Sequence, residues 1–319
     1  MDSAVANLGW TEDQWNRVCS TVVEEAQKAR VAAQALPCTG PEDKSVLAIP
    51  RYEVATPGAN PDLEADSDPD LYITRISVNV ALRSHEVADH QLGAALQMFR
   101  RAANVIARVE DSLVFYGRRS VALNPAVSAL NYLTPGLPAI YNFTQDTHNV
   151  DGVFQWLVGP TPLGDPGIPL ARGRFRRPAP VARQFRAGLA AGGGSLGDGV
   201  VNTIIAAISA IEGSGYYGPF ACCLSNRLFE AICTPAPSLV LPRDRILPFL
   251  QGPLLRASAL DADDGVVISL AGTPVELVIA SEIYVRFLQL TQAGRALFRV
   301  SERVALRIKS PGAIQRIRS

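Results

Sequence analysis

The sequence predicts an α+β fold, from one long amphipathic helix and several strands. From His90 to Phe115, the residues Leu92, Leu96, Phe99, Ala103, Ile106, Val109 and Leu113 keep one face, while Arg100, Arg101, Arg108 and Asp111 lie largely off it. That is the period of a helix about seven turns long at 3.6 residues per turn, suited to act as a spine under a sheet. Ahead of it, Tyr72–Val80 alternates apolar and polar positions, as a strand with one buried face does. Toward the carboxy terminus, Val266–Leu270, Val275–Ala280 and Val304–Ile308 are short β-branched and aliphatic runs separated by Gly, Thr, Pro and charged residues. In the last run Val304, Leu306 and Ile308 alternate with Ala305, Arg307 and Lys309. Ser310-Pro311-Gly312 then ends that strand, because Pro offers no ladder donor and Gly tolerates a turn.

The first element is a helix opened by a capping box, Thr11 with Gln14, and by Glu12 and Asp13 where a helix N-terminus favours negative charge. Trp15, Val18, Val22, Ala26, Ala29 and Ala33 form its single narrow apolar stripe, and Pro37 stops it. Residues 38–70 are rich in Pro, Gly and acidic side chains and offer little core of their own. After the spine helix, the segment 131–194 carries Pro135-Gly136-Leu137-Pro138, a second Pro/Gly tract at 159–167 and the cluster Arg172, Arg174, Arg176, Arg177, Arg183 and Arg186. It reads as a loop-rich segment, and its arginines read as a solvated or neighbour-facing patch before an anion or nucleic-acid site. Gly192–Gly199 precedes a helix-like run, Val200–Ile211, and then Tyr217-Gly218-Pro219-Phe220 leads through Cys222-Cys223-Leu224 toward Ser225 and Leu228-Phe229.

Composition narrows the function. Lys+Arg equals Asp+Glu at 30 each, which argues against a dedicated nucleic-acid binder. Five cysteines without disulfide spacing or a Cys-x-x-Cys pair read as buried thiols in a reducing cytoplasm, and adjacent Cys222 and Cys223 would face opposite ways on a strand. The amino terminus has no secretion-signal pattern, and no run is expected to cross a membrane. His85, His90 and His148 are the only histidines, and no nucleophile elbow, His-Glu-x-x-His helix or Walker loop occurs. Glycines before a helix can cradle phosphate, yet 192–199 lacks a preceding strand and the Walker lysine; a flexible link is the better reading. His85, Glu86, Asp89 and His90 would share a helix start. Glu86 and His90 at i,i+4 make a metal site conceivable, but ordinary dipole partners are favoured.

In order along the chain, several segments resemble encapsulin shell proteins, which build hollow icosahedral cages on the major-capsid fold of tailed phages. They are Thr11-Glu12-Asp13-Gln14-Trp15, Val109–Gly117 with its Glu110-Asp111 pair, Tyr217–Phe220 with Cys222–Phe229, and the closing stretch Gly265–Ile314. The resemblance implies an amino-terminal helix at 1–37 and an extended loop at 38–78. It implies a peripheral domain from 79–118 and 265–319, and an axial domain at 119–264 that includes 131–194 as an insert.

The function implied is that of a self-assembling shell whose partners are copies of itself and an enclosed cargo enzyme, in the cytoplasm, with no membrane or nucleic acid. In the direct cargo-loading branch that cargo is most often a ferritin-like iron oxidase or a dye-decolorizing peroxidase, held by a targeting peptide in a luminal groove. The matching groove positions are Ala26, Arg30 and Ala33 on the amino-terminal helix and Ile283, Val285 and Phe287 near the carboxy terminus. No catalytic, metal or cofactor residue is expected. Some encapsulins bind flavin against an aromatic before the spine helix, but Leu82-Arg83-Ser84-His85 supplies no Trp or Tyr there. The alternatives are a phage or prophage capsid protein and, in another class, a cytosolic enzyme using Gly192–Gly199 or the His85/His90 cluster.

Overall fold

A computed structural model of the chain describes residues 8–43, 45–50, 53–54, 65–66, 71–116, 185–186, 195–235 and 240–318. Apart from Phe185–Arg186, the segment 131–194, with its other arginines, His148 and Gly192–Gly194, lies outside the described residues. Two compact units divide the rest. The first holds the described residues up to Val114 together with Glu276–Arg307; the second holds Phe115, Tyr116, those from 185 to Val275, and Ile308–Arg318.

In the first unit, α1 (Glu12–Ala29) begins as its sequence dictates. Thr11 Oγ1 accepts from the Gln14 amide, and the Gln14 side chain accepts from the Thr11 amide. Val18, Val22 and Ala26 are fully buried, so the apolar stripe is the docked face. The chain turns through a four-residue helix, α2 (Ala32–Ala35), into β1 (Cys38–Thr39). A hairpin arm follows: β2 (Ala48–Ile49) runs antiparallel to β5 (Leu71–Tyr72), and β3 (Glu53–Val54) to β4 (Ala65–Asp66).

The first sheet has the order β1, β11 (Val275–Leu290), β12 (Ala296–Ile308), β6 (Thr74–Leu82). β12 and β6 are antiparallel, with Phe298 opposite Val80 and Glu302 opposite Ile76. β1 adds in parallel beside Leu277 and Val278. This close approach needs Gly40, which has φ +125; a Cβ there would meet the Ile279 carbonyl oxygen at 2.1 Å. The predicted alternation in β12 holds for Val304, Leu306 and Ile308, which are buried, but Ala305 is buried too. Ile49, Ile73, Val278, Ala280 and Ala305 form a small second core that covers the other face of this sheet. One-sided burial was therefore too simple an expectation, because the base of the arm covers what local alternation left open.

The spine helix, α4, spans Gly93–Tyr116 and is preceded by a separate short helix, α3 (Ser84–Val87). Between them Leu92 adopts a left-handed φ of 53, and Asp89 accepts from the Gln91 and Gly93 amides, which holds its carboxyl below the usual range. His90 therefore lies outside both helices and shares no helical face with Glu86. The i,i+4 arrangement on which the His85/His90 metal site depended does not form, and no metal-ligating cluster occurs among the described residues.

In the second unit a five-stranded sheet has the order β7 (Phe185–Arg186), β13 (Ile314–Arg318), β10 (Asp264–Ser269), β8 (Phe220–Leu224), β9 (Gln251–Arg256). Three helices pack with it: α5 (Leu196–Gly213), α6 (Asn226–Cys233) and α7 (Pro242–Leu250). Val200, Ile204, Ile208 and Ile211 of α5 join Leu224, Leu228, Ile246, Val267 and Ile317 in its core. By length and composition alone α5 could cross a membrane, which the sequence reading did not anticipate; half of it is buried in this core. Gly197 and Gly199 lie inside α5 instead of forming a link, and Ser195 caps it. A Cβ on Gly197 would sit 2.5 Å from the Ala231 carbonyl oxygen, so this glycine serves the close packing of α5 on α6. Cys222 and Cys223 are both buried in β8. Burial pushes the Cys222 thiol far above its ordinary range, as expected of a small core residue. The sheets thus divide 265–319 between the units: β10 and β13 join the second, and most of β11 and β12 the first.

Candidate functional site

The groove positions named by resemblance all fall in the first unit, on α1, α2 and β11. An aromatic cluster anchors this region. Phe298 of β12 stacks on Trp10 at 5.1 Å and meets Phe99 and Phe287 edge-on at 5.3 and 5.5 Å. Trp15 lies 6.4 Å from Phe298 and 6.0 Å from Trp10, whose indole N–H donates to the Val87 carbonyl at 2.9 Å. Phe287 is thus a core residue. Ala26, Ile283 and Val285 are buried as well, and Ala33 is half-buried. Glu282, Tyr284 and Arg286, the residues that alternate with them on β11, are the exposed ones.

Burial of the expected groove residues makes a prediction. Ile283 is only 3% exposed, so Ile283→Asp forfeits at least about 1.5–3 kcal/mol of apolar burial and adds a carboxylate with no partner. A clear fall in the thermal midpoint is expected, whereas Tyr284→Asp should leave it nearly unchanged. Equal midpoints for the two variants would mean that Ile283 is not a core residue.

Arg30, at the carboxy-terminal cap of α1, takes part in something that sequence reasoning missed. Arg30 is 5% exposed, and its guanidinium is surrounded by carboxylates from three elements. Nη2 donates to Glu302 on β12, Nε lies 2.8 Å from Glu110 Oε2 on α4, and Nη1 lies 3.6 Å from Glu282 Oε2 on β11. Next to Glu110, Asp111 accepts from the Val31 and Ala32 amides at 3.0 and 2.7 Å and so caps the entry to α2. Desolvation is the first cause that lifts all three buried carboxyls. Glu110 is pushed well above its ordinary range, helped by Glu302 and opposed by Arg30; Glu302 is raised; and Asp111 is raised to about 7 despite its backbone donors. The sequence held a signal for this. Glu110 and Asp111 interrupt the apolar run from Ile106 to Leu113, and Glu302 shares a strand face with Val300 and Val304.

On the outer side of this sheet Arg307 donates to Glu276, and Arg303 to the Val46 carbonyl at the base of the arm. In the second unit Arg316 grips Asp264 through both Nε and Nη2, and the Tyr116 hydroxyl donates to Asp264 at 3.2 Å. These contacts pair charges within the fold, and their chemistry is structural.

The class of protein follows from the fold. The chain has the fold of tailed-phage capsid proteins and of the particles built on it. It aligns with a virus-like particle from Pyrococcus furiosus at a TM-score of 0.62 and 13% identity, covering 96% of this chain and 100% of that one. It aligns with the capsid of the myovirus XM1 at a TM-score of 0.53 and 10% identity, covering 89% of both chains. Within that class its likeness in sequence is to encapsulin shell proteins. Residues 187–305 match a family described as encapsulating protein for peroxidase. The type 1 encapsulin shell protein EncA of Myxococcus xanthus (strain DK1622) is 23% identical over 318 residues, covering 95% of this chain and 91% of that protein.

Proposed function

We propose that this chain is the shell subunit of an encapsulin-type nanocompartment, in which many copies close into an icosahedral particle around a cargo enzyme in the cytoplasm. The observation that carries this reading is the capsid fold combined with the sequence match over 187–305 to proteins described as encapsulating a peroxidase. The antiparallel arm at 48–72 is consistent with it. A two-stranded ribbon has little core of its own, and a neighbouring subunit would supply the missing contacts. The shell's work is compartmentation; catalysis belongs to the cargo. Of the two cargo classes, the matched family's description favours a peroxidase over a ferritin-like iron oxidase. Since Ala26, Ile283, Val285 and Phe287 are buried in the subunit, a targeting peptide would meet the side chains next to them, Tyr284 and Arg286 first.

The purified protein is expected to elute near the void volume on size exclusion and to show closed, round particles by negative-stain microscopy. A stable monomer or dimer at micromolar concentration would overturn the reading. Particles filled with nucleic acid in place of an enzyme would move it to a phage capsid protein on the same fold.

A further inference from the structure

Arg30 cannot neutralise everything that faces it. Glu110 and Glu302 are both fully buried, so one guanidinium against two carboxylates leaves a net charge of −1 on these three groups, with buried Asp111 beside them held by its own backbone donors. Geometry shows where the imbalance sits. Arg30 donates to Glu302 Oε1, while its Nε lies 2.8 Å from Glu110 Oε2 without making a hydrogen bond, so both Glu110 oxygens and Glu302 Oε2 have no hydrogen-bond donor. Ionised carboxylates accept only, so two of them side by side cannot satisfy each other. A single proton eases both defects: it supplies a donor between the two glutamates and brings the net charge of Arg30, Glu110 and Glu302 to zero.

The surrounding groups, element by element, do not supply that proton's charge by other means. β1 brings only the Cys38 thiol, and α4 adds Asp111, engaged with the Val31 and Ala32 amides. β11 adds Glu282, whose side chain is 64% exposed, and β6 places Ile76 opposite Glu302. Arg30 is thus the one cation paired with the two buried glutamates among the described residues.

We propose that Glu110 and Glu302 hold one proton between them beside Arg30, and that losing it at alkaline pH frees the carboxy-terminal end of α1 from α4 and the sheet, making the helix a base-sensitive latch. The latch rests on the side-chain cluster of the first unit and not on the shell reading. The sign is fixed by direction: both carboxyls bind a proton more tightly folded than unfolded. Their contribution is therefore fully present below the ordinary carboxylate range and is lost as pH rises through the folded values. Above that point Arg30 still holds one glutamate, while the other is charged, buried and repelled. The cheapest relief is for the α1–α2 corner to open and admit water, and Glu282 already reaches the guanidinium from the solvent side.

Hydrogen exchange of the full chain tests this, with the amides of the last two turns of α1 compared with those of α5 so that base-catalysed exchange cancels. From mildly acidic to mildly alkaline pH, the α1/α5 ratio should rise about tenfold, the most that one proton gives per pH unit. Glu110→Gln supplies the donor permanently and should cut the rise to what Asp111, titrating near 7 at the same corner, contributes by itself. Asp111→Asn and Glu282→Gln should each keep the rise. A flat ratio in the wild type, or an undiminished rise in Glu110→Gln, overturns the latch. Infrared difference spectroscopy of the wild type gives a reading that depends on no variant folding. A buried carboxylic-acid band should be present at neutral pH and vanish as α1 exchange accelerates; a spectrum without that band overturns the proposal.

Discussion

Replacing Arg30 with alanine is expected to cost the first unit about 3–5 kcal/mol, the usual consequence of leaving buried charge without its partner. Among the described residues Arg30 is the only cation paired with Glu110 and Glu302, both fully buried, and it ties α1 to α4 and β12 at once. The loss should depend on pH. Toward acid the glutamates protonate and the missing guanidinium matters less; toward alkaline pH both would be ionised and the full penalty appears. Asp111 follows the same sign, since its stabilising contribution is lost as pH rises from its ordinary value of 3.8 through about 7. Denaturant titration at several pH values measures all of this. A loss below about 1 kcal/mol at alkaline pH would match an exposed pair and contradict the burial found here. Replacing both glutamates with glutamine in the Arg30→Ala background should recover part of the loss, because two buried amides cost less than two buried charges.

Phe298→Ala should be comparably severe, at about 3–5 kcal/mol. Phe298 is fully buried and touches four aromatic rings, those of Trp10, Trp15, Phe99 and Phe287. Its removal leaves a cavity bounded by rings that cannot collapse together, because Trp15, Phe99 and Phe287 sit on three different elements and the Trp10 indole is tied to the Val87 carbonyl. Tryptophan fluorescence offers a specific readout, since Trp10 and Trp15 both border the cavity and their emission should shift as water reaches them. Fluorescence unchanged from the wild type, with stability intact, would mean that the ring cluster does not hold α1 to the sheet. Phe298→Leu, which keeps most of the volume, should lose markedly less.

Much of the fold was legible because it rests on local rules. The capping box at Thr11 and Gln14, the stripe of α1, the spine helix and the strands after Gly218-Pro219 and Gly265 are each specified by residues within a few positions of one another. The Arg30 cluster was not legible in that way. Its members stand at 30, 110, 282 and 302, and each alone reads as an ordinary charged residue; only as a set do they share one buried space. The break before α4 was missed for a different reason. Leu92 fits the apolar period, but Asp89 captures the Gln91 and Gly93 amides and leaves His90 outside the helix.

Sequence by itself determined the secondary-structure types, the α+β class and the resemblance to capsid-fold proteins, because hydrophobic periodicity, caps and motif order are one-dimensional properties. Tertiary structure alone decided which side chains are available. Ile283, Val285 and Phe287 alternate with polar neighbours in a pattern that fits a groove wall as well as a core face. Docking against the aromatic cluster makes Phe287 core, and Ile283 and Val285 share its side of β11, leaving Tyr284 and Arg286 exposed. Which of a strand's two faces is covered depends on what packs there from far along the chain, and no local pattern encodes that.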